Sequence, residues 1–251
     1  LGQPLFIFDA GTGIKALSDH LLATRDGKFN AKIFISHPHW DHINALPYFA
    51  PLYISGNEFE ILGAAHASIS LRDLISAQMD DVYFPIIMKD FGSHVGFRES
   101  AQGTFDVDGI AVKTMFLSHP GNCLGYRIDY KGRSICYITD NELFLPESPH
   151  YDPGYGNNLV SFIEGSDALI TDCTYSDAEY ASKVGWGHSC ISQIVALAHR
   201  ENIRVLYLAH HDSDQDDDAI DAKFDATKKH LSDLNSSTGV LAPSESLTVF
   251  I

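Results

Sequence analysis

The sequence predicts a layered α/β domain. Three observations lead there. Short apolar runs of strand length recur along the chain, several are followed by segments of helical periodicity, and the middle of the chain changes to strands separated by turn dipeptides. Asp108-Gly109 divides the runs 104–107 and 110–117, and Lys131-Gly132 divides 123–130 and 134–139, both in the manner of hairpins. A length of 251 residues with 45% apolar content suits one large layered domain with a substantial core.

Taken in order, residues 5–8 form a short apolar strand that ends in Asp9-Ala-Gly-Thr-Gly13, where two glycines permit a tight turn, and 14–22 read as an amphipathic helix. A buried strand is expected at 31–36, then a loop and helix up to 49, a strand at 59–62 and a helix at 68–79. Residues 80–100 read as irregular and aromatic. After the hairpins, helices are expected at 159–164, 189–201 and 219–234, and strands at 168–171, 204–209 and 246–251. No internal repeat or low-complexity linker interrupts this, so residues 1–251 are expected to form a single domain.

The chemistry concentrates at residues 36–43, Ser-His-Pro-His-Trp-Asp-His-Ile. His37, His39, Asp41 and His42 are imidazoles and carboxylates, the donors that hold Zn, Mn or Fe in hydrolytic sites. They follow an apolar strand directly, and a loop leaving a strand end is where a rigid scaffold aims side chains. The pattern recurs. The runs 110–117, 134–138, 168–170 and 204–208 lead into Ser118-His119-Pro120, Thr139-Asp140-Asn141, Thr171-Asp172-Cys173 and Ala209-His210-His211-Asp212. A lone His after a strand is commonly a loop residue; four strands ending in His or Asp describe a site built along one sheet edge.

Composition excludes several classes. The net charge is −16, from 33 acidic and 17 basic residues, which disfavours a long nucleic-acid partner because such partners need a basic track. Bound metal ions would offset that charge locally, so a small anionic substrate is compatible with it. No apolar run reaches the roughly 18 residues of a membrane span, and no signal peptide is visible, so a cytoplasmic protein without membrane contact is expected. The chain begins at Leu1 close to a predicted strand, so an upstream segment is expected. The four cysteines, Cys123, Cys136, Cys173 and Cys190, form no Cys-x-x-Cys pair and read as reduced thiols.

With Phe8-Asp-Ala-Gly-Thr-Gly13, the 36–43 block, Ser118-His119-Pro120, Tyr137-Ile-Thr-Asp140 and Leu208-Ala-His210 in that order, the chain resembles the metallo-β-lactamase fold superfamily. The resemblance implies a four-layer αβ/βα sandwich, with the site at one edge, and two divalent metal ions as cofactors, zinc first with manganese or iron as alternatives. It implies that His37, His39 and His119 hold one ion, that Asp41, His42 and His210 hold the other, that Asp140 bridges them, and that Asp9 orients a ligand histidine.

Within the superfamily the chain most resembles the ribonuclease Z-like and small phosphodiesterase branch, through Gly187-His188-Ser189, read as opening a helix. There His188 would assist at the phosphate, and Asp41 would accept a proton as well as ligate. The expected reaction is hydrolysis of a small phosphodiester, a cyclic nucleotide being the first choice, by a hydroxide bridging two metals. Residues 45–100 would form the pocket wall, with Tyr48, Phe49, Tyr53, Tyr83, Phe84 and Phe91 available to stack a base. The sequence also departs from ribonuclease Z. His210 is followed by His211-Asp212-Ser213-Asp214 in place of a Ser-x-Arg-Tyr clasp, no basic arm is visible, and the strands ahead of Asp9 are missing or short. Asp41 stands where the two-iron oxygen reductases carry Glu, and Cys136 and Cys173 are off register for a β-lactamase ligand. A thioester or lactone hydrolase on the same metal core, and a non-enzymatic metal-binding sensor, are the alternatives. Exposed aromatic surface would suit a homodimer.

Overall fold

The computed structural model describes residues 5–25, 28–82, 84–245 and 247–251. The expectations resting on residues 1–4, Tyr83 and Ser246 therefore lie outside the described residues. The chain divides into two compact units, Leu1–Ala101 and Gln102–Ile251.

The first unit contains β1 (Leu5–Phe8), α1 (Gly13–Thr24), β2 (Asn30–Phe34), the single-turn α2 (Trp40–Ile43), β3 (Glu58–Gly63), α3 (Leu71–Ser76) and β4 (His94–Glu99). Its sheet runs β1-β2-β3-β4, every pair parallel. A parallel strand covered on both faces is apolar at successive positions, and β2 shows this: Ile33 and Phe34 point to opposite faces and both are fully buried. The Phe34 ring meets Phe6 at 5.0 Å and Phe8 at 5.3 Å. Ile33 joins Ile61, Leu21, Leu71 and Ile75 in the core.

Residues 45–100 supply β3 and β4 to this sheet. The strand β4 falls in the stretch expected to be irregular. Gly96 and the charged Arg98 and Glu99 mask its alternation, but Val95 and Phe97 pack against the core as an edge strand of period two requires. Of the aromatics expected along a pocket wall, Phe49 is fully buried, Tyr53, Phe84 and Phe91 are partly buried against the core, and Tyr48 is the exposed one.

The second unit contains β5 (Gly103–Val107), β6 (Ile110–Phe116), β7 (Leu124–Tyr130), β8 (Arg133–Ile138), α4 (Pro153–Ile163), β9 (Ala168–Asp172), α5 (Asp177–Tyr180), α6 (Ile191–Arg200), β10 (Val205–Ala209), α7 (Asp217–Asp233) and β11 (Gly239–Leu241). The order is β11-β10-β9-β8-β7-β6-β5. The pairs from β11 to β8 are parallel and those from β8 to β5 antiparallel. It follows that β6, β8, β9 and β10 all run in one direction and end at one edge. The two predicted hairpins are present.

Three boundaries differ from expectation. The helix expected at 159–164 begins at Pro153, because the Asp152 side chain caps it by accepting from Gly154 N at 2.8 Å; Gly154, Gly156 and two asparagines hide this first half in the sequence. The last strand is Gly239–Leu241, parallel to β10, and residues 247–251 have no regular structure. The helix expected from 189 begins at Ile191, which matters for His188 below. The acidic run 212–218 is a helix start: Asp216 caps α7 through Ala219 N, and Asp217 and Asp218 sit in the first turn, where carboxylates favour the helix dipole.

All four cysteines are buried, and burial pushes the Cys136 thiol up to about 11 and those of Cys173 and Cys190 up to about 12, so they behave as small apolar residues. No helix among the described residues is long and apolar enough to cross a membrane.

Candidate functional site

In the first unit the parallel pairing of β1 and β2 brings Asp9 beside Ser36, and a single buried carboxylate then organises the histidine loop. Asp9 accepts from Ser36 N at 2.7 Å, from Ser36 Oγ at 2.9 Å and from His42 Nδ1 at 2.8 Å. With its proton given to Asp9, Ser36 Oγ accepts from His37 Nδ1 at 3.0 Å. Assigned from these partners, both histidines carry their proton on Nδ1 and present a lone pair at Nε2. The rings of His39 and His42 each lie 4.3 Å from that of His37. Asp41 is exposed, with its Oδ2 3.2 Å from His42 Nε2. The turn after β1 braces the loop: Ala10 N donates to His42 O, and Gly11 approaches the Asp41 carbonyl so closely that a Cβ there would stand 2.2 Å from its oxygen. The Asp9-Ala-Gly segment thus supports the ligand loop, and Asp9 itself adopts a left-handed φ of 59°.

In the second unit His119, Asp140, Asp172 and His210 all sit at the carboxyl ends of co-directional strands. Asp140 is 2% exposed. Its Oδ2 lies 3.4 Å from His119 Nε2 and its Oδ1 lies 3.2 Å from His210 Nε2. His119 Nδ1 donates to Gly187 O at 2.9 Å, which puts the proton on Nδ1. Thr174 Oγ1 donates to His210 O at 2.7 Å and lies 3.1 Å from His210 Nδ1, fixing a residue whose own φ is 53°. These Nε2 atoms therefore present lone pairs toward carboxylate oxygens, as His42 does toward Asp41. Two acceptors tolerate such a contact only with a cation between them, so the donor set fits a divalent metal.

His188 belongs with this group. One ligand-type atom from each of Asp140, His188 and His210 lies within 4.8 Å of the others. The His188 ring stacks on His210, with centroids 4.9 Å apart and planes 16° apart, and lies 5.1 Å from His119. His188 stands in the extended segment ahead of α6 and not at the helix start expected for it, so the helix N-terminus does not orient it. Asp172 does, accepting from His188 Nδ1 at 2.7 Å. Asp172 is fully buried and also accepts from Asn141 N, Thr174 N and Thr174 Oγ1. The sequence showed Asp172 at a strand end, in the same Thr-Asp pattern as Asp140, but gave it no task.

Glu142 is a second carboxylate that the sequence did not single out. It is 1% exposed and accepts from Tyr180 OH at 2.8 Å, Gly185 N at 2.7 Å and Gly187 N at 2.7 Å. It holds the peptide whose carbonyl fixes His119. Gly187 has φ +88°, and a Cβ on it would stand 2.5 Å from His119 Nδ1. Gly187→Ala is therefore expected to displace His119 and weaken metal retention while the fold persists, which dialysis against a graded chelator series with elemental analysis would read. Unchanged retention would mean that this contact does not set His119.

The sequence profile of the beta-lactamase superfamily domain matches residues 6–211, so the chain belongs to that superfamily and is a metal-dependent hydrolase with the metallo-β-lactamase fold expected from the sequence. Among its relatives, a ribonuclease Z from Lactococcus lactis subsp. cremoris (strain SK11) is 35% identical over 231 residues, 71% of this chain and 70% of that protein. The human short-form tRNase Z superposes with a TM-score of 0.61 at 24% identity, covering 83% of this chain and 82% of that one. Yeast PDE1 superposes with a TM-score of 0.67 at 13% identity, covering 92% and 73%. At these identities the two structures speak to the fold.

Proposed function

We propose that the chain is a phosphodiesterase, in which the donor sets of the two units together form one catalytic domain holding two divalent ions. His37, His39 and His119 ligate one ion, Asp41, His42 and His210 the other, and Asp140 bridges them, with zinc the first expectation. Bound there, the ions supply an activated water and positive charge opposite the phosphoryl oxygens. His188 donates a hydrogen bond through Nε2 to a non-bridging phosphate oxygen, or a proton to the leaving oxygen, while Asp172 holds Nδ1. Asp41, the exposed carboxylate, accepts the proton released as water adds.

The observation that carries this reading is the Asp172–His188 pair at 2.7 Å, beside Asp140 and His210. A histidine backed by a buried carboxylate and placed beside a metal-type cluster is built to meet an oxyanion. We take the substrate to be a small phosphodiester, first a cyclic nucleotide, acted on in the cytoplasm, because the chain is strongly acidic and Asp212–Asp214 follows the last ligand. The identity to a ribonuclease Z favours a second reading, cleavage at the end of an RNA chain. Rates on bis(p-nitrophenyl) phosphate, a cyclic nucleotide, a precursor tRNA, a thioester and a lactone test both. The first two are expected to turn over. Turnover of the precursor tRNA alone would establish the second reading, and turnover confined to the thioester or lactone would remove the phosphodiesterase reading.

A further inference from the structure

The segment just ahead of His188 displays a tryptophan that the chemistry above does not use. Trp186 is 58% exposed, and Val184 beside it 48%. Single exposed apolar residues are ordinary; this one is held in an unusual way. The backbone N–H groups on either side of it, Gly185 N and Gly187 N, are both bound by the two oxygens of buried Glu142, and Trp186 N donates to Lys183 O at 3.0 Å. Both flanking glycines have φ of +88°. Burying a carboxylate is costly unless it is hydrogen-bonded, and Glu142 directs all three of its recorded bonds to Tyr180, Gly185 and Gly187. The bond to Gly187 also serves His119. Those to Gly185 and Tyr180 fix only the peptide leading into Trp186.

A cation accompanies the indole. Lys183 Nζ lies 3.9 Å from the centroid of the Trp186 ring and 5.9 Å from that of Tyr175. The Tyr175 ring in turn stands 6.0 Å from that of His188. An indole, an ammonium and a phenol thus lead in sequence to the histidine assigned to the phosphate. Rigid aromatic surface binds a planar ring at low cost in conformational entropy, and an ammonium beside it suits an anion.

We infer that Trp186, with Lys183, is the platform on which the substrate's nucleobase stacks, so that the substrate is a nucleotide and not a base-free phosphodiester. The inference rests on the phosphodiesterase reading and narrows its substrate class. Trp186 is then a specificity residue: it sets binding of the base and leaves the reacting phosphate untouched.

Calorimetric titration of the metal-loaded protein with AMP and with ribose 5-phosphate, for wild type, Trp186→Ala and Trp186→Phe, tests this directly. The wild type is expected to bind AMP more tightly. Trp186→Ala is expected to weaken AMP by about tenfold, within the range of one lost base–aromatic stack, and to leave ribose 5-phosphate unchanged, with Trp186→Phe retaining most of the difference. In kinetics, KM for 2′,3′-cyclic AMP should rise in Trp186→Ala while that for glycerol 1,2-cyclic phosphate stays fixed. A wild type without preference for AMP, an unchanged AMP affinity in Trp186→Ala, or equal loss on both ligands overturns the platform. If the wild type hydrolyses neither diester, the phosphodiesterase reading fails, and the AMP and ribose 5-phosphate titrations still decide the platform by themselves.

Discussion

Asp140→Ala is expected to abolish turnover of bis(p-nitrophenyl) phosphate, a loss of roughly 10³-fold or more, beyond what one oxyanion-type donor contributes, and to release at least one of the bound metals. Both oxygens of this carboxylate face an imidazole Nε2, at 3.2 Å and 3.4 Å, and it is almost fully buried. Without it, the proposed pair of cations loses the negative charge between them and repels. The fold should persist, because the loop after β8 is anchored by buried Ile138 and by Asn141, whose backbone N–H is bound to Asp172. Circular dichroism, elemental analysis and initial rates on one preparation separate these effects. A variant with full metal content and full rate would show that Asp140 does not bridge.

His188→Ala is expected to lower kcat on a phosphodiester by roughly 10²-fold, the scale of a positioned acid–base group, with metal content unchanged. Asp172→Asn should reproduce part of that loss, because an amide can hold the imidazole in place but does not carry the charge that supports a protonated ring. Any thioester or lactone hydrolysis should suffer much less, since those substrates lack the phosphate oxygens that His188 would meet. Loss of a metal in His188→Ala would place this residue among the ligands, an outcome its proximity to Asp140 and His210 makes worth measuring.

What the sequence revealed depended on how local each feature is. His37, His39, Asp41 and His42 stand out because six residues contain them all. His119, Asp140 and His210 are legible because each follows an apolar run, and the strand order of the second sheet then brings those ends to one edge. Pairings between distant residues were not legible. Asp172 and His188 are 16 positions apart and share no periodicity; only the extended segment ahead of α6 brings them together. Glu142 looks like a surface acid in the sequence, and its burial becomes meaningful once three donors converge on it. The fold shows the same division. The hairpins carry turn dipeptides and were evident, whereas β4 is an edge strand with glycine and charged residues in its alternation. The strand expected at 246–251 is replaced by three residues at Gly239–Leu241, which are too few to give a pattern. Helix α4 begins with Pro153 and two glycines, so its first turns depend on the Asp152 cap and not on helical propensity.

Titration of chelator-stripped protein with zinc or manganese, following hydrolysis of bis(p-nitrophenyl) phosphate, tests the two-metal phosphodiesterase most directly. The stripped protein should be inactive, and the rate should rise with added metal to a plateau near two equivalents per chain, as the two donor sets imply. Full activity without metal, or no phosphodiester hydrolysis at any metal loading, would contradict it.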